Sequence, residues 1–522
     1  MARRGKLVHV SHYGRRDVEA GLPVEPDTVW RIYSMTKPIT SVAALMLHEE
    51  GAFALTDPIS NFIPSFADVR VYRSGSALAP ATVPTSSRSG CGTCSHMSGL
   101  TYGFHHAHPV DEMYRLRGHE LTTPPDVDLA AACDEFAALP LLFQPGTEWN
   151  YGVSTDVLGR VVEVASGRTL DEFFAERILG PLGMSDTGFQ VADSAVDRLA
   201  ALYLPRPGGG LARSPLGELI TKPPTLLSGG GGLASTLHDY HRFTQMLARG
   251  GELDGVRLLS NRTVDLATRN HLPGGADLDA VGRPIFAESP YAGVGFGLGF
   301  SVVIDPVVGK SLTSPGEFAW GGLASTAFYV DPVEEVTAVF MTQLMPSSTY
   351  PIRPQLRARE AGPGRLSRPG TREDAPGTSR EREESPMSNA LAITIRVIVV
   401  AIALWVATLL VGGIRLGTEV SPNSTTASTI GTLLVVAVIF GLINAVLKPI
   451  IKVIGCPLYI LTLGLISLVV NGLLLWLAGY IAERVGLPFA VDGFWAAFWG
   501  AIIVAVVSFL LHVLIPDRFD QR

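Results

Sequence analysis

Ile32-Tyr33-Ser34-Met35-Thr36-Lys37-Pro38 decides how the long N-terminal part of this sequence is read. Proline fits an α-helix only in the first turn, where its missing N–H is not needed, so Pro38 puts a helix start near Ser34. Gly51 then marks the end of that helix. A serine and a lysine at i and i+3 share one helical face. The positive end of the helix also favours the negative charge that develops when a hydroxyl attacks an electrophile. Ser-x-x-Lys is nevertheless a common pairing, and in isolation it reads more readily as an N-cap beside a solvated lysine.

Outward from this helix, residues 1–357 mix β-like runs at 7–10, 301–304, 324–330 and 336–341 with amphipathic stretches at 40–50, 156–165 and 170–179. Each helical stretch is closed by a nearby glycine. Strands at both ends with helices between them predict an α/β sheet carrying a helical subdomain.

The stretch Val29-Trp30-Arg31-Ile32-Tyr33-Ser34-Met35-Thr36-Lys37, ending in His48-Glu49-Glu50-Gly51, resembles the serine hydrolases related to class C β-lactamases and family VIII esterases. Similar to the same family, and in its order, are His96-Met97-Ser98-Gly99-Leu100, Gln144-Pro145-Gly146, Pro181-Leu182-Gly183-Met184, Gly229-Gly230-Gly231-Gly232-Leu233-Ala234-Ser235 and Trp320-Gly321-Gly322. The resemblance implies a β-lactamase/penicillin-binding-protein-like transpeptidase fold. It further implies an N-terminal truncation, since relatives carry a helix and the start of a strand ahead of the segment like Ala2-Arg3-Arg4-Gly5-Lys6.

On that resemblance Ser34 is the nucleophile, Lys37 its activating partner, and Tyr151, within Trp149-Asn150-Tyr151-Gly152-Val153-Ser154, the third catalytic residue. The chemistry needs such a set because a free hydroxyl is a poor nucleophile at neutral pH. A cation beside a phenol favours the phenolate, so a lysine and a tyrosine can tune one another. By the same analogy the backbone N–H groups of Ser34 and Leu323 form the oxyanion hole. Trp320, Gly321 and Gly322 then line the substrate side, the glycines letting the backbone approach closely.

Two departures bear on the substrate. Penicillin-recognising relatives carry Lys-Thr-Gly where this chain has Trp320-Gly321-Gly322, so an ammonium that grips a substrate carboxylate is absent. They also carry Tyr-x-Asn, whereas Tyr151 is followed by Gly152-Val153, which removes a side-chain amide suited to an acylamide. Both changes favour a small neutral ester. Two alternatives stand beside that reading: β-lactamase or D-alanyl-peptidase action on the same scaffold, and a catalytically impaired hydrolase domain carried by a membrane protein.

No cofactor is called for. Cys91-Gly92-Thr93-Cys94 with His96 invites a redox or zinc reading, with Cys133 and His105-His106-Ala107-His108 as further ligands, but the segment needs no metal. Another explanation fits better. Relatives carry something like Arg-Asp-Leu-Leu-Thr ahead of His-x-Ser-Gly-Leu, and permitted codons for residues 89–95, read two bases later, yield that string. An out-of-frame patch over 82–95 is the expectation, at some cost in packing.

The full chain has 522 residues, 47% of them apolar, with 41 basic and 48 acidic side chains, a balance that excludes a basic nucleic-acid binder. Few of those charges fall after Met387, where four apolar runs lie at 391–412, 427–447, 456–481 and 494–515. Each approaches the ~20 residues that cross a bilayer as a helix. An all-α four-helix transmembrane domain over 387–522 is therefore expected. It is joined by a proline-rich, mixed-charge linker at 358–386 with the composition of a disordered segment.

Lys448 and Lys452 between the second and third runs, with Arg518 and Arg522 after the fourth, put both termini in the cytoplasm by the positive-inside rule. The hydrolase domain is placed there too, on the inner face of a bacterial inner membrane. Ile443-Asn444-Ala445-Val446-Leu447-Lys448-Pro449-Ile450-Ile451-Lys452, Leu461-Thr462-Leu463-Gly464-Leu465 and Val491-Asp492-Gly493-Phe494-Trp495 resemble small four-helix membrane proteins classed as phage-holin-like (holin family 4). Since Met387 opens a full-length match to that family, the two parts read as two gene products joined by readthrough or a frameshift. The partners implied are a small-molecule ester or amide substrate and the lipid bilayer.

Overall fold

The computed structural model describes residues 1–86, 89–94, 96–206, 209–283, 291–353, 355–356, 401–417, 420, 425, 429, 431–437, 439–440 and 466–514. Two compact units divide the chain, 1–370 and 371–522.

The first unit is organised by a seven-stranded antiparallel sheet whose strands come from both ends of the unit. Strands β1 (Ala2–Arg3) and β2 (Lys6–Leu7) form one edge. Ala2 pairs with Thr337 of the last strand, so chain order is closed on itself across the sheet. The expected strand at 7–10 is corrected: pairing stops at Leu7, and Val8 and Val10 are 57% and 45% exposed. An apolar alternation with nothing to bury against gains little from a ladder. The expected strands at 324–330 and 336–341 become Ala327–Asp331 and Val336–Phe340, paired with each other in continuous register.

Between the sheet's two contributions lies β3 (Val29–Arg31), which runs into a 3-10 turn at Tyr33–Met35 and then helix α1 (Thr36–Glu49). The α-helix begins two residues later than the proline alone predicts, because Ser34 sits in the tighter 3-10 turn. Helix α1 is buried from Thr36 through Leu47. It packs against α2 (Ser154–Ser166), whose C-terminus is closed by Gly167 at φ +68°. After β4 (Ala234–Thr236), which pairs with β3, comes helix α3 (Leu237–Ala248).

Helix α3 covers one face of the sheet. Its Tyr240 ring lies 5.4 Å from that of Phe328, and Gln245 donates to Thr337 Oγ1 at 2.6 Å. Tyr240 also donates to the carbonyl of Met35 at 2.8 Å, pinning the turn that carries Ser34 to the covering helix.

The unit at 371–522 contains α4 (Ile466–Arg484) and α5 (Gly493–Leu514), which pack on each other. Its core is rich in small residues, including Ala403, Ala407, Ala478 and Ala482. The all-α expectation is corrected here: Ile414–Leu416 and Phe489–Val491 pair as short antiparallel strands, with Arg415 donating to Asp492 at 2.7 Å. Among the described residues no helix is long and apolar enough to cross a membrane. The linker at 358–386 and much of the first three apolar runs lie outside the described residues.

Candidate active site

Tyr33, the residue before Ser34, has φ +42°, a left-handed conformation that is strained for a side chain of this size. Packing holds it there, since the Tyr33 ring sits against the buried cluster of Leu202, Ala324 and Met345. The strained turn presents Ser34 at the floor of a cavity of about 880 Å³ whose walls include Tyr102, Phe104, Leu226, Trp320 and Leu323.

Three side chains expected at the site meet at Ser34. The Tyr151 hydroxyl donates to Ser34 Oγ at 2.5 Å. Lys37 Nζ donates to the same oxygen at 3.4 Å and lies 4.6 Å from the centroid of the Tyr151 ring. Lys37 itself is 1% exposed, an unusual state for a lysine that demands partners for its ammonium. Those partners are the carbonyl of Gly230 at 2.7 Å and the hydroxyl of Tyr102 at 2.9 Å.

Neither of the two had been assigned a role from sequence. Gly230 falls inside a glycine run whose function the run alone does not disclose. Its N–H donates to Asp156 Oδ1 at 3.0 Å, and that oxygen also accepts from Ser228 Oγ at 2.6 Å. A Cβ on Gly230 would lie 2.5 Å from Asp156 Oδ2, which explains the glycine. Tyr102 follows His96-Met97-Ser98-Gly99-Leu100 by two positions, a signal that could have directed attention to it.

The electrostatic setting separates the titratable groups. Burial, helped by Asp156 and Tyr151, raises the Tyr102 phenol well above its ordinary range and keeps it neutral. His96, 1% exposed, is packed among aromatic rings, 4.9 Å from Tyr151 and 5.6 Å from Trp149. Burial, then Lys37 and His105, hold its imidazole well below the usual range. His105 is pushed down to about 4 by burial, against the opposing pull of Asp111. Both imidazoles are therefore neutral at pH 7.

Trp320 and Gly321 close strand Phe318–Gly321. The Trp320 ring stands 5.6 Å from that of Tyr151. Gly322 N–H is taken up by Thr326 O at 2.8 Å, and a Cβ on Gly322 would come within 2.4 Å of Ile32 O. That close approach brings the Trp320-Gly321-Gly322 turn against the Ser34 turn. Leu323 follows with its N–H unclaimed by a backbone acceptor among the described residues. Arg353 donates to Gly322 O at 3.1 Å and lies in the cavity wall.

The cysteine segment behaves as packing. Cys91 and Cys133 are buried, and Cys91 N–H donates to Asp57 O at 3.0 Å. Burial pushes the Cys91 thiol up to about 12, away from nucleophilic or metal-binding chemistry.

Comparison with known proteins identifies the family of each part of the chain. Residues 1–362 match the family described as Beta-lactamase, and residues 391–510 that described as Mycobacterial 4 TMS phage holin, superfamily IV. Protein Rv1367c of Mycobacterium tuberculosis is 38% identical over 348 residues, covering 66% of this chain and 84% of that protein. Esterase EstB of Burkholderia gladioli is 29% identical over 360 residues, covering 66% of this chain and 84% of that enzyme. Among solved structures, a mutant simvastatin synthase of Aspergillus terreus superposes with a TM-score of 0.57 at 26% identity, covering 68% of this chain and 90% of that chain.

Proposed function

The chain belongs to the beta-lactamase family, and from that premise we propose that it is a membrane-attached serine hydrolase that cleaves neutral carboxylic esters through an acyl-serine intermediate. The observation that carries this reading is the meeting of Tyr151 and Lys37 on Ser34 Oγ, at 2.5 and 3.4 Å. In the reactive form Tyr151 has released its hydroxyl proton to solvent and stands as a phenolate beside the Lys37 ammonium; Ser34 Oγ then attacks the ester carbonyl carbon while its own proton passes to that phenolate. The oxyanion is held by the N–H groups of Ser34 and Leu323. The C–O bond to the alcohol breaks, Tyr151 returns the proton to the leaving oxygen, and water then releases the acid by the reverse sequence.

Substrate preference follows from what lines the site. Trp320 occupies the position from which an ammonium would draw a carboxylate, and the wall around it is aromatic and aliphatic. The cavity of about 880 Å³ also leaves room for an acyl or alcohol group bulkier than the small esters inferred from sequence. Attachment to the membrane is supported by the holin-family match at 391–510, and the positive-inside pattern of Lys448, Lys452, Arg518 and Arg522 favours a cytoplasmic hydrolase.

The test is hydrolysis by the full chain in detergent. p-Nitrophenyl butyrate should be cleaved with a burst equal to the enzyme concentration, nitrocefin should not, and Ser34→Ala should lose the burst. Nitrocefin turnover exceeding ester turnover would replace the esterase reading with the β-lactamase one. A reporter fused after Arg522 should be cytoplasmic, and an external one would overturn the topology.

A further inference from the structure

The ammonium of Lys37 has three N–H bonds and three acceptors: Gly230 O at 2.7 Å, Tyr102 Oη at 2.9 Å and Ser34 Oγ at 3.4 Å. The contact to the nucleophile is the longest of the three. Where Lys37 points is therefore set by the two shorter bonds. One of these, to Gly230, is anchored through Asp156. The other rests on a side chain 65 residues away in sequence, Tyr102, whose ring is stacked on Phe104 at 4.7 Å and 17°.

We propose that Tyr102 is a positioning residue for acyl transfer, a phenol oxygen that accepts from Lys37 and thereby aims the ammonium at Ser34 and at the Tyr151 ring. This rests on the acyl-serine reading above. Two tyrosines flank the same lysine, 5.4 Å apart between ring centroids, yet they are given different work. Tyr151 touches Ser34 and moves its proton. Tyr102 does not bond to Ser34 and serves as a fixed acceptor. Its neutrality matters: a second phenolate beside Lys37 would compete for the charge that should stabilise Tyr151.

The groups facing Lys37 are known. Tyr151 and Asp156 come from the side of α2, Tyr102 and the neutral His105 from the segment after Leu100, and the neutral His96 from the turn before it. Removing the Tyr102 oxygen leaves the ammonium with Gly230 O as its one short contact, beside the long one to Ser34 Oγ.

The experiment compares the full chain with Tyr102→Phe using p-nitrophenyl butyrate and a fluorophosphonate probe of Ser34. Tyr102→Phe should lower kcat by about 10- to 100-fold, the scale of one hydrogen bond to a charged group. KM should stay within about threefold, since no substrate contact is removed. Phe104→Leu, which loosens the ring but keeps the hydroxyl, should lower kcat by less. It also serves if Tyr102→Phe does not fold.

An unchanged kcat in folded Tyr102→Phe would overturn the proposal while leaving the acyl-serine reading intact. A proportional rise in KM without a fall in kcat would overturn it too, in favour of a substrate contact. If the wild-type chain shows neither burst nor probe labelling at Ser34, the acyl-serine reading itself falls, and Tyr102 with it.

Discussion

Asp156 holds Gly230 by its N–H at 3.0 Å, and Gly230 in turn presents its carbonyl to Lys37 at 2.7 Å, so a buried carboxylate positions the lysine without touching it. The relay works only because residue 230 has no side chain. Gly230→Ala would set a Cβ 2.5 Å from the carboxylate oxygen. Overpacking of this kind costs about 1–3 kcal/mol, and displacing Lys37 should cost roughly 100-fold in kcat. Urea unfolding and ester turnover measured on the same preparation check both figures. An alanine variant with wild-type turnover would show that Lys37 does not depend on this carbonyl.

Ser34→Ala should abolish acylation. The fold should survive, because the hydroxyl is small and its loss changes stability by only about 1 kcal/mol. Probe labelling followed by peptide mapping is the direct measurement, and label retained elsewhere in the chain would move the nucleophile.

Lys37→Ala and Tyr151→Phe each remove part of one unit, so their effects on kcat should not add. The double variant should be within about tenfold of the worse single variant. Full additivity in kcat would mean that the two act in separate steps.

Acid should destabilise the protein across a definable window. His105 has a folded value near 4 against an ordinary 6.5, so between those limits the unfolded chain binds the additional proton. Stability therefore rises with pH through that window and is lost as pH falls from about 6.5 towards 4, by roughly 2 kcal/mol from this group. His96 contributes in the same direction. Urea midpoints at pH 7 and pH 5 should differ less for His105→Gln than for the wild-type chain, and an equal difference would remove His105 from the account.

The division at residue 370 carries its own prediction. Residues 1–370 expressed alone should melt within about 2 °C of the corresponding transition in the full chain, as separately cored domains do. Residues 387–522 alone should insert into membranes. Destabilisation of the isolated hydrolase unit by several kcal/mol would mark the fusion as structurally used, against the readthrough reading.

Legibility in the sequence divided along a physical line. The helix after Ser34 and the strands before the end of the first unit were readable because their periodicity or proline position is local. The run at 7–10 misled because alternation predicts a strand only where a core exists for its apolar face, and Val8 and Val10 are exposed. Ser34, Lys37 and Tyr151 were picked out through ordered motifs, since a separation of 117 positions between Ser34 and Tyr151 leaves no periodic trace of their contact. Tyr102 was missed because spacing does not tie it to Lys37, although it stands two positions after His96-Met97-Ser98-Gly99-Leu100. Its partnership with Lys37 exists only after the helical subdomain folds over α1.

The pairing of Ala2 with Thr337 has a consequence for how the protein is made. On the ribosome the first strand emerges long before its neighbour, and the nucleophile turn appears some three hundred residues ahead of the strand that completes the sheet beneath it. Arg31, next to that turn, likewise waits for Gln343, whose amide brackets its backbone at 3.3 and 3.0 Å. A nascent chain stopped before this point would hold Ser34, Lys37 and Tyr151 and still lack the floor they stand on. Contacts so distant in sequence are slow to close. Activity should therefore arrive abruptly and late in synthesis, and the half-made chain would be the stage most in need of a chaperone.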